Sequence, residues 1–123
     1  MFRLKRKYEF HAARKLTALR KNHPCAELHG HTFTVTIKIS GKKLTNEGWI
    51  MDFYDIDNLY KEKIHKNLDH KYLNDIDGLS NPTTENISMW IWNNLEEDLK
   101  GLSSVSVSEG NSYGCKYLGE KNA

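Results

Sequence analysis

The chain has 123 residues, 38% apolar and 28% charged, with a net charge of +2. This is the length of one domain, spanning residues 1–123, with too much apolar content for a disordered chain and too little net charge to demand a polyanionic partner. No apolar run approaches the ~20 residues of a membrane span, and no apolar stretch follows the N-terminal basic residues as a secretory signal requires. Two cysteines, Cys25 and Cys115, make no disulfide framework, so a reduced, cytoplasmic protein with no membrane contact is expected. The charge is uneven: eight Arg or Lys and one Glu fall between Arg3 and Lys21. Such a patch suits a phosphorylated small molecule or simple solvation. Nucleic acid is not expected, because the patch lacks the aromatic platform that single-strand binding uses.

In chain order, Phe2, Leu4, Tyr8, Phe10 and Ala12 alternate with polar residues and predict a strand to about Ala13. Arg14 to Pro24 is basic and irregular and reads as a loop. His29 to Ser40 alternates strictly and predicts a second strand, and Asn46-Glu47-Gly48 predicts a turn into a short third strand, Trp49 to Phe53. Asp55 is the expected cap of a helix whose apolar stripe is Ile56, Leu59, Tyr60, Ile64 and Leu68, ending before Asp69-His70. Asp75 to Pro82 reads as a loop. Thr83 or Thr84 caps a second helix carrying Ile87, Ile91 and Leu95, stopped by Gly101. Val105 to Glu109 is a strand, and Tyr113 to Leu118 can pair back onto it. The class is α+β, an antiparallel sheet with two helices on one face.

Several polar residues stand where chemistry could occur. His29 and His31, separated by Gly30 in extended backbone, project to one face and make half of a zinc site, or a pair of surface histidines. Cys25, four residues earlier, is a base or nucleophile if its surroundings are cationic, and an inert thiol otherwise. Asp69 next to His70 can orient the imidazole and raise its basicity, or simply charge a helix end. Glu109 ends a strand as a lone carboxylate.

Taken together, Cys25-x3-His29-Gly30-His31, Trp49-Ile50-Met51-Asp52-Phe53, Leu68-Asp69-His70-x-Tyr72-Leu73-Asn74, Asn81-Pro82-Thr83-Thr84-Glu85-Asn86 and Glu109 resemble the 6-pyruvoyl-tetrahydropterin synthase superfamily. The gap between Cys25 and His29, and the terminal Gly114-Cys115-x-Tyr117-x-Gly119-Glu120, are similar to the bacterial 6-carboxytetrahydropterin synthases of the queuosine pathway. The resemblance implies a tunnelling fold (T-fold), with a four-stranded antiparallel sheet and two helices on one face. It also implies a homohexamer with active sites between subunits. The implied activity is a lyase reaction on 7,8-dihydroneopterin triphosphate, the polyol tail held on a three-histidine zinc ion, Zn2+. By position, Cys25 is the implied general base, assisted by Asp69 and His70. Glu109 is the implied anchor of the amino-pyrimidine edge, and His29 and His31 are implied zinc ligands.

One position departs from that pattern. The family's first zinc histidine closes a Phe-x-Ala-Ala-His run, and here the run is Phe10-His11-Ala12-Ala13-Arg14. A guanidinium has no lone pair to give, so Arg14 cannot ligate. Three arrangements remain open: His11 is brought round by a bulge, a two-histidine site is completed otherwise, or zinc is absent and Arg14 supplies a fixed charge. The rival functions are the pyruvoyl-forming reaction, in which triphosphate alone is eliminated, and a non-catalytic pterin-binding protein that has lost its metal.

Overall fold

A computed structural model describes residues 1–18, 22–23 and 28–120, with His29 described by its backbone alone. Strands β1 (Phe2–Arg14), β2 (His29–Gly41), β3 (Leu102–Glu109) and β4 (Tyr113–Tyr117) form one antiparallel sheet in the order β1-β2-β3-β4. The alternation read from the sequence is the alternation of the two faces. Phe10, Phe33, Val35, Ile37, Ile39, Val105 and Val107 are buried on one side, while Lys5, Lys7, Glu9 and His11 of β1 alternate with them on the other. A period-two pattern leaves one face solvated and gives the other to the core.

The helices cover the apolar face. Helix α1 (Phe53–Tyr60) runs into a π turn, Lys61–His65, and then a short helix α2 (Lys66–Leu68). Ile56, Tyr60, Ile64 and Leu68 are all buried, at a strict four-residue spacing. On a regular helix that spacing drifts by about 40° per step. The wider hydrogen-bond loop of a π turn takes back part of the drift and keeps the stripe on the sheet. Helix α3 (Thr84–Leu95) buries Ile87, Ile91 and Leu95, and its first turn is capped by Thr83, whose Oγ1 accepts from Asn86 N at 3.1 Å. No helix of the described residues is long and apolar enough to cross a membrane.

Three local expectations are corrected. Trp49 to Phe53 is not a strand: Thr45 and Trp49 close a tight loop, and Ile50 packs on Gly41 at the end of β2 instead of pairing along an edge. The helix cap is Asp52, not Asp55, with Asp52 Oδ1 accepting from Tyr54 N at 2.9 Å. Helix α3 ends at Leu95, before Gly101, and a run of turns leads into β3. Gly101 serves that entry, with φ of 89° and a position where a Cβ would stand 2.5 Å from the Ser40 carbonyl oxygen.

Candidate active site

β1 and β2 pair in unbroken register from Phe2↔Gly41 to Arg14↔His29. No bulge interrupts Ala12-Ala13, so parity decides which residues share a face. Arg14 falls on the side of Phe10 and Ala12 and is only 4% exposed. His31 stands across from Ala12, and Phe33 pairs with Glu109 at the end of β3. Arg14, His31 and Glu109 therefore meet on the helix-covered side, at one end of the sheet.

Their hydrogen bonding follows from the burial of the guanidinium, which needs a counter-charge. Arg14 Nη2 donates to Glu109 Oε1 at 2.6 Å and Nη1 to the Pro82 carbonyl at 2.9 Å. The Arg14 Cζ lies 5.0 Å from the centre of the Phe33 ring, within cation–π range. His31 Nδ1 lies 3.0 Å from the same Glu109 oxygen. Glu109 Oε1 thus accepts from the guanidinium and has the imidazole beside it. Arg14 Nε is buried and has no hydrogen-bond partner among the described residues.

A second group forms at the free edge of β1. The segment after α2 lies along that edge: His70 N donates to His11 O at 2.6 Å, Ala13 N donates to Lys71 O at 3.0 Å, and Ala13 bridges Tyr72. Asp69 Oδ1 accepts from His11 N at 2.9 Å, and Oδ2 accepts from His70 Nδ1 at 2.6 Å. The His11 amide, followed by the His70 hydrogen bond, holds the Asp69 carboxyl below its ordinary range. With Nδ1 committed to Asp69, His70 in its neutral form keeps Nε2 as a proton acceptor. Its side chain is 78% exposed and its backbone is left-handed, φ 58°, a strained conformation for a residue with a Cβ. The sequence shows no sign of that strain.

His11 belongs to this second group. Its Nδ1 pairs with Thr32 Oγ1 at 2.9 Å, and its ring centre is 6.0 Å from that of His70. The odd offset from Arg14 leaves it on the outward face, so His11 does not join His31. An open cleft at this end of the sheet is lined by His11, Ala13, Gly30, His31, His70 and Tyr72. Within one chain, then, the structure brings Glu109 to Arg14 and His31, and Asp69 to His70 and His11. His31 of the first group and His11 and His70 of the second line that one cleft. Cys25 lies outside the described residues, as does the side chain of His29.

Asn74 and Asn81 clasp the segment that follows Arg14. Asn74 accepts from Lys15 N at 2.9 Å and donates to Lys15 O at 2.6 Å. Asn81 Oδ1 accepts from Thr17 N at 3.1 Å, and Asn86 Nδ2 donates to Asn81 O at 2.8 Å. The Arg14–Glu109 pair was not anticipated, although a signal existed. A cation on the apolar parity of β1 and a carboxylate on the apolar parity of β3 each needed a partner.

A four-stranded antiparallel sheet with helices on one face, and polar groups at its β1–β2 end, defines a T-fold protein. The chain belongs to the 6-pyruvoyl tetrahydropterin synthase family, whose profile it matches over residues 3–120, a family of pterin-processing lyases. It is 40% identical over 91 residues to a dihydroneopterin monophosphate aldolase of Pyrococcus furiosus, covering 72% of this chain and 75% of that one. It is 33% identical over 123 residues to a 6-carboxy-5,6,7,8-tetrahydropterin synthase of Synechocystis, covering 96% and 94%. Among solved structures, 6-pyruvoyl tetrahydropterin synthase of Caenorhabditis elegans superposes with a TM-score of 0.88 at 20% identity, covering 97% of this chain and 96% of that one.

The three-histidine zinc centre implied by the sequence resemblance does not fit the residues present. The place across from His29 holds Arg14, a permanent cation already paired with Glu109.

Proposed function

We propose that the protein is a cytoplasmic lyase that converts 7,8-dihydroneopterin triphosphate to 6-carboxy-5,6,7,8-tetrahydropterin, releasing acetaldehyde and triphosphate. The observation that carries this reading is the end-to-end similarity to the Synechocystis 6-carboxy-5,6,7,8-tetrahydropterin synthase. The geometry supports it with two parts a pterin lyase needs. Glu109 offers a carboxylate to the amino-pyrimidine N–H donors, and Asp69–His70 offers a carboxylate-steered imidazole as proton acceptor. Cys25 is the general base of this reading.

His31 and His70 line one open cleft, and the His70 ring is largely exposed beside the edge strand β1. This supports a homo-oligomer, a hexamer in our reading, in which Asp69 and His70 of one subunit complete a site on the next. Glu109 Oε1 already accepts from Arg14 and lies 3.0 Å from His31 Nδ1. A pterin edge donating two parallel N–H groups therefore takes Oε2 and shares Oε1 with Arg14.

A second reading is favoured by the similarity to the dihydroneopterin monophosphate aldolase, namely carbon–carbon cleavage of the monophosphate with no loss of phosphate. Incubation with each substrate and analysis of products separates them. Triphosphate with acetaldehyde supports the carboxy-forming reaction, and triphosphate without acetaldehyde supports the pyruvoyl-forming one. Consumption of the monophosphate alone supports the aldolase. If neither substrate is consumed but neopterin still binds, the protein is a pterin binder and the lyase reading is refuted.

A further inference from the structure

We propose that Arg14 takes the place of the metal: its guanidinium is the fixed positive charge of a metal-independent site, Glu109 is its resident counter-ion, and it binds an anionic or acceptor oxygen of the ligand directly. Four observations converge on this. The unbroken β1–β2 register sets Arg14 across from His29, on the face it shares with His31. The guanidinium is 4% exposed and cannot shed its proton, so a divalent ion beside His31 would meet a buried like charge in a poorly screened place. Glu109 bridges Arg14 and His31 through one oxygen, committing the nearest carboxylate to the guanidinium. Finally, Arg14 Nε is a buried donor with no partner among the described residues. A buried N–H of this kind calls for an acceptor, and a ligand hydroxyl, carboxylate or phosphoryl oxygen is the class that matches it.

The identity of the ligand rests on the pterin reading above; the metal independence does not. A guanidinium orients and neutralises an oxygen through charge-assisted hydrogen bonds, and its charge does not depend on metal supply.

The test counts zinc in the full chain, purified from zinc-supplemented culture, for wild type, Arg14→His and the double variant Arg14→His/His31→Ala. Wild type is expected to carry below about 0.1 zinc per chain, Arg14→His about one, and the double variant to lose it. About one zinc per wild-type chain, removed by His31→Ala, would overturn the proposal. So would a folded Arg14→His chain, judged by unchanged far-ultraviolet dichroism, that takes up no zinc. The wild-type count stands even if the variant does not fold.

Neopterin fluorescence titration supplies the ligand arm. The wild-type Kd is expected to be unmoved by excess EDTA and to rise about tenfold in Arg14→Gln, the loss of one charge-assisted hydrogen bond. A wild-type Kd that collapses with EDTA overturns the proposal. Absence of neopterin binding altogether refutes the pterin reading and leaves the zinc count intact, so the two failures are distinguishable.

Discussion

Removing either partner of the Arg14–Glu109 pair should destabilise the fold unequally, and the inequality follows from burial. In Glu109→Met the guanidinium keeps its charge at 4% exposure and retains one carbonyl acceptor, from Pro82. Stranding a buried charge in this way costs about 3–5 kcal/mol. In Arg14→Met the carboxylate left behind is 20% exposed and still faces His31 Nδ1, so water and the imidazole compensate and the cost is about 1–2 kcal/mol. The double variant strands no charge and should resemble the milder single one, a coupling of several kcal/mol. At about 4 °C per kcal/mol for a domain of this size, Glu109→Met should lower Tm by about 12–20 °C and Arg14→Met by about 4–8 °C. Scanning calorimetry at one fixed protein concentration measures all three, since oligomers make Tm depend on concentration. Equal losses in the two single variants, or a double variant as unstable as Glu109→Met, would refute the argument from burial.

Three further outcomes are expected. Asp57 is held below its ordinary range by the side chain of Arg6, at 2.8 and 3.2 Å, and by the Tyr8 hydroxyl at 2.7 Å. A carboxyl depressed in the folded state stabilises above its unfolded pKa of about 3.9 and loses that contribution as pH falls through the folded value. Asp57→Asn should therefore lose stability at neutral pH and show a flatter decline below about pH 4 in urea titrations; parallel curves would contradict this. Gly101→Ala, with φ of 89° and backbone oxygen at 2.5 Å, should cost at least about 2 kcal/mol, against about 1 kcal/mol for Gly48→Ala, where φ is 92° and nothing lies within 4 Å. Equal costs would mean the Ser40 carbonyl yields freely. His70→Ala should lower kcat by about 10²–10⁴ with little change in Tm, because the ring is 78% exposed; unchanged turnover would remove it from the mechanism.

The fold was legible wherever apolar periodicity continued long enough to fix a face. β1, β2 and β3 announced themselves by alternation, and α3 by its stripe and the Thr83 cap. The failures were short. Trp49 to Phe53 has the composition of a strand, yet Ile50 is spent on Gly41 and no neighbouring edge is offered to it. Asp52 and Asp55 are both plausible caps by type, and which one bonds to the first turn is settled by where the chain arrives from β2.

Of the candidate site residues, the structure sets Asp69 against His70 and Glu109 near His31, while Cys25 lies outside the described residues. Strand parity correctly separated His11 from Arg14. The pairing of Arg14 with Glu109 depended on β3 lying beside β2, a contact 95 residues apart in sequence. The left-handed backbone of His70 was invisible because it arises from the hydrogen bond to His11 O, a tertiary constraint with no local marker.

The decisive measurement is a crystal structure of the full chain with neopterin, recorded at the zinc absorption edge. The amino-pyrimidine edge is expected on Glu109, a ligand oxygen on the Arg14 guanidinium, and no anomalous peak beside His31. A zinc peak on His31 with Arg14 turned away from Glu109, or neopterin seated elsewhere, would contradict that expectation.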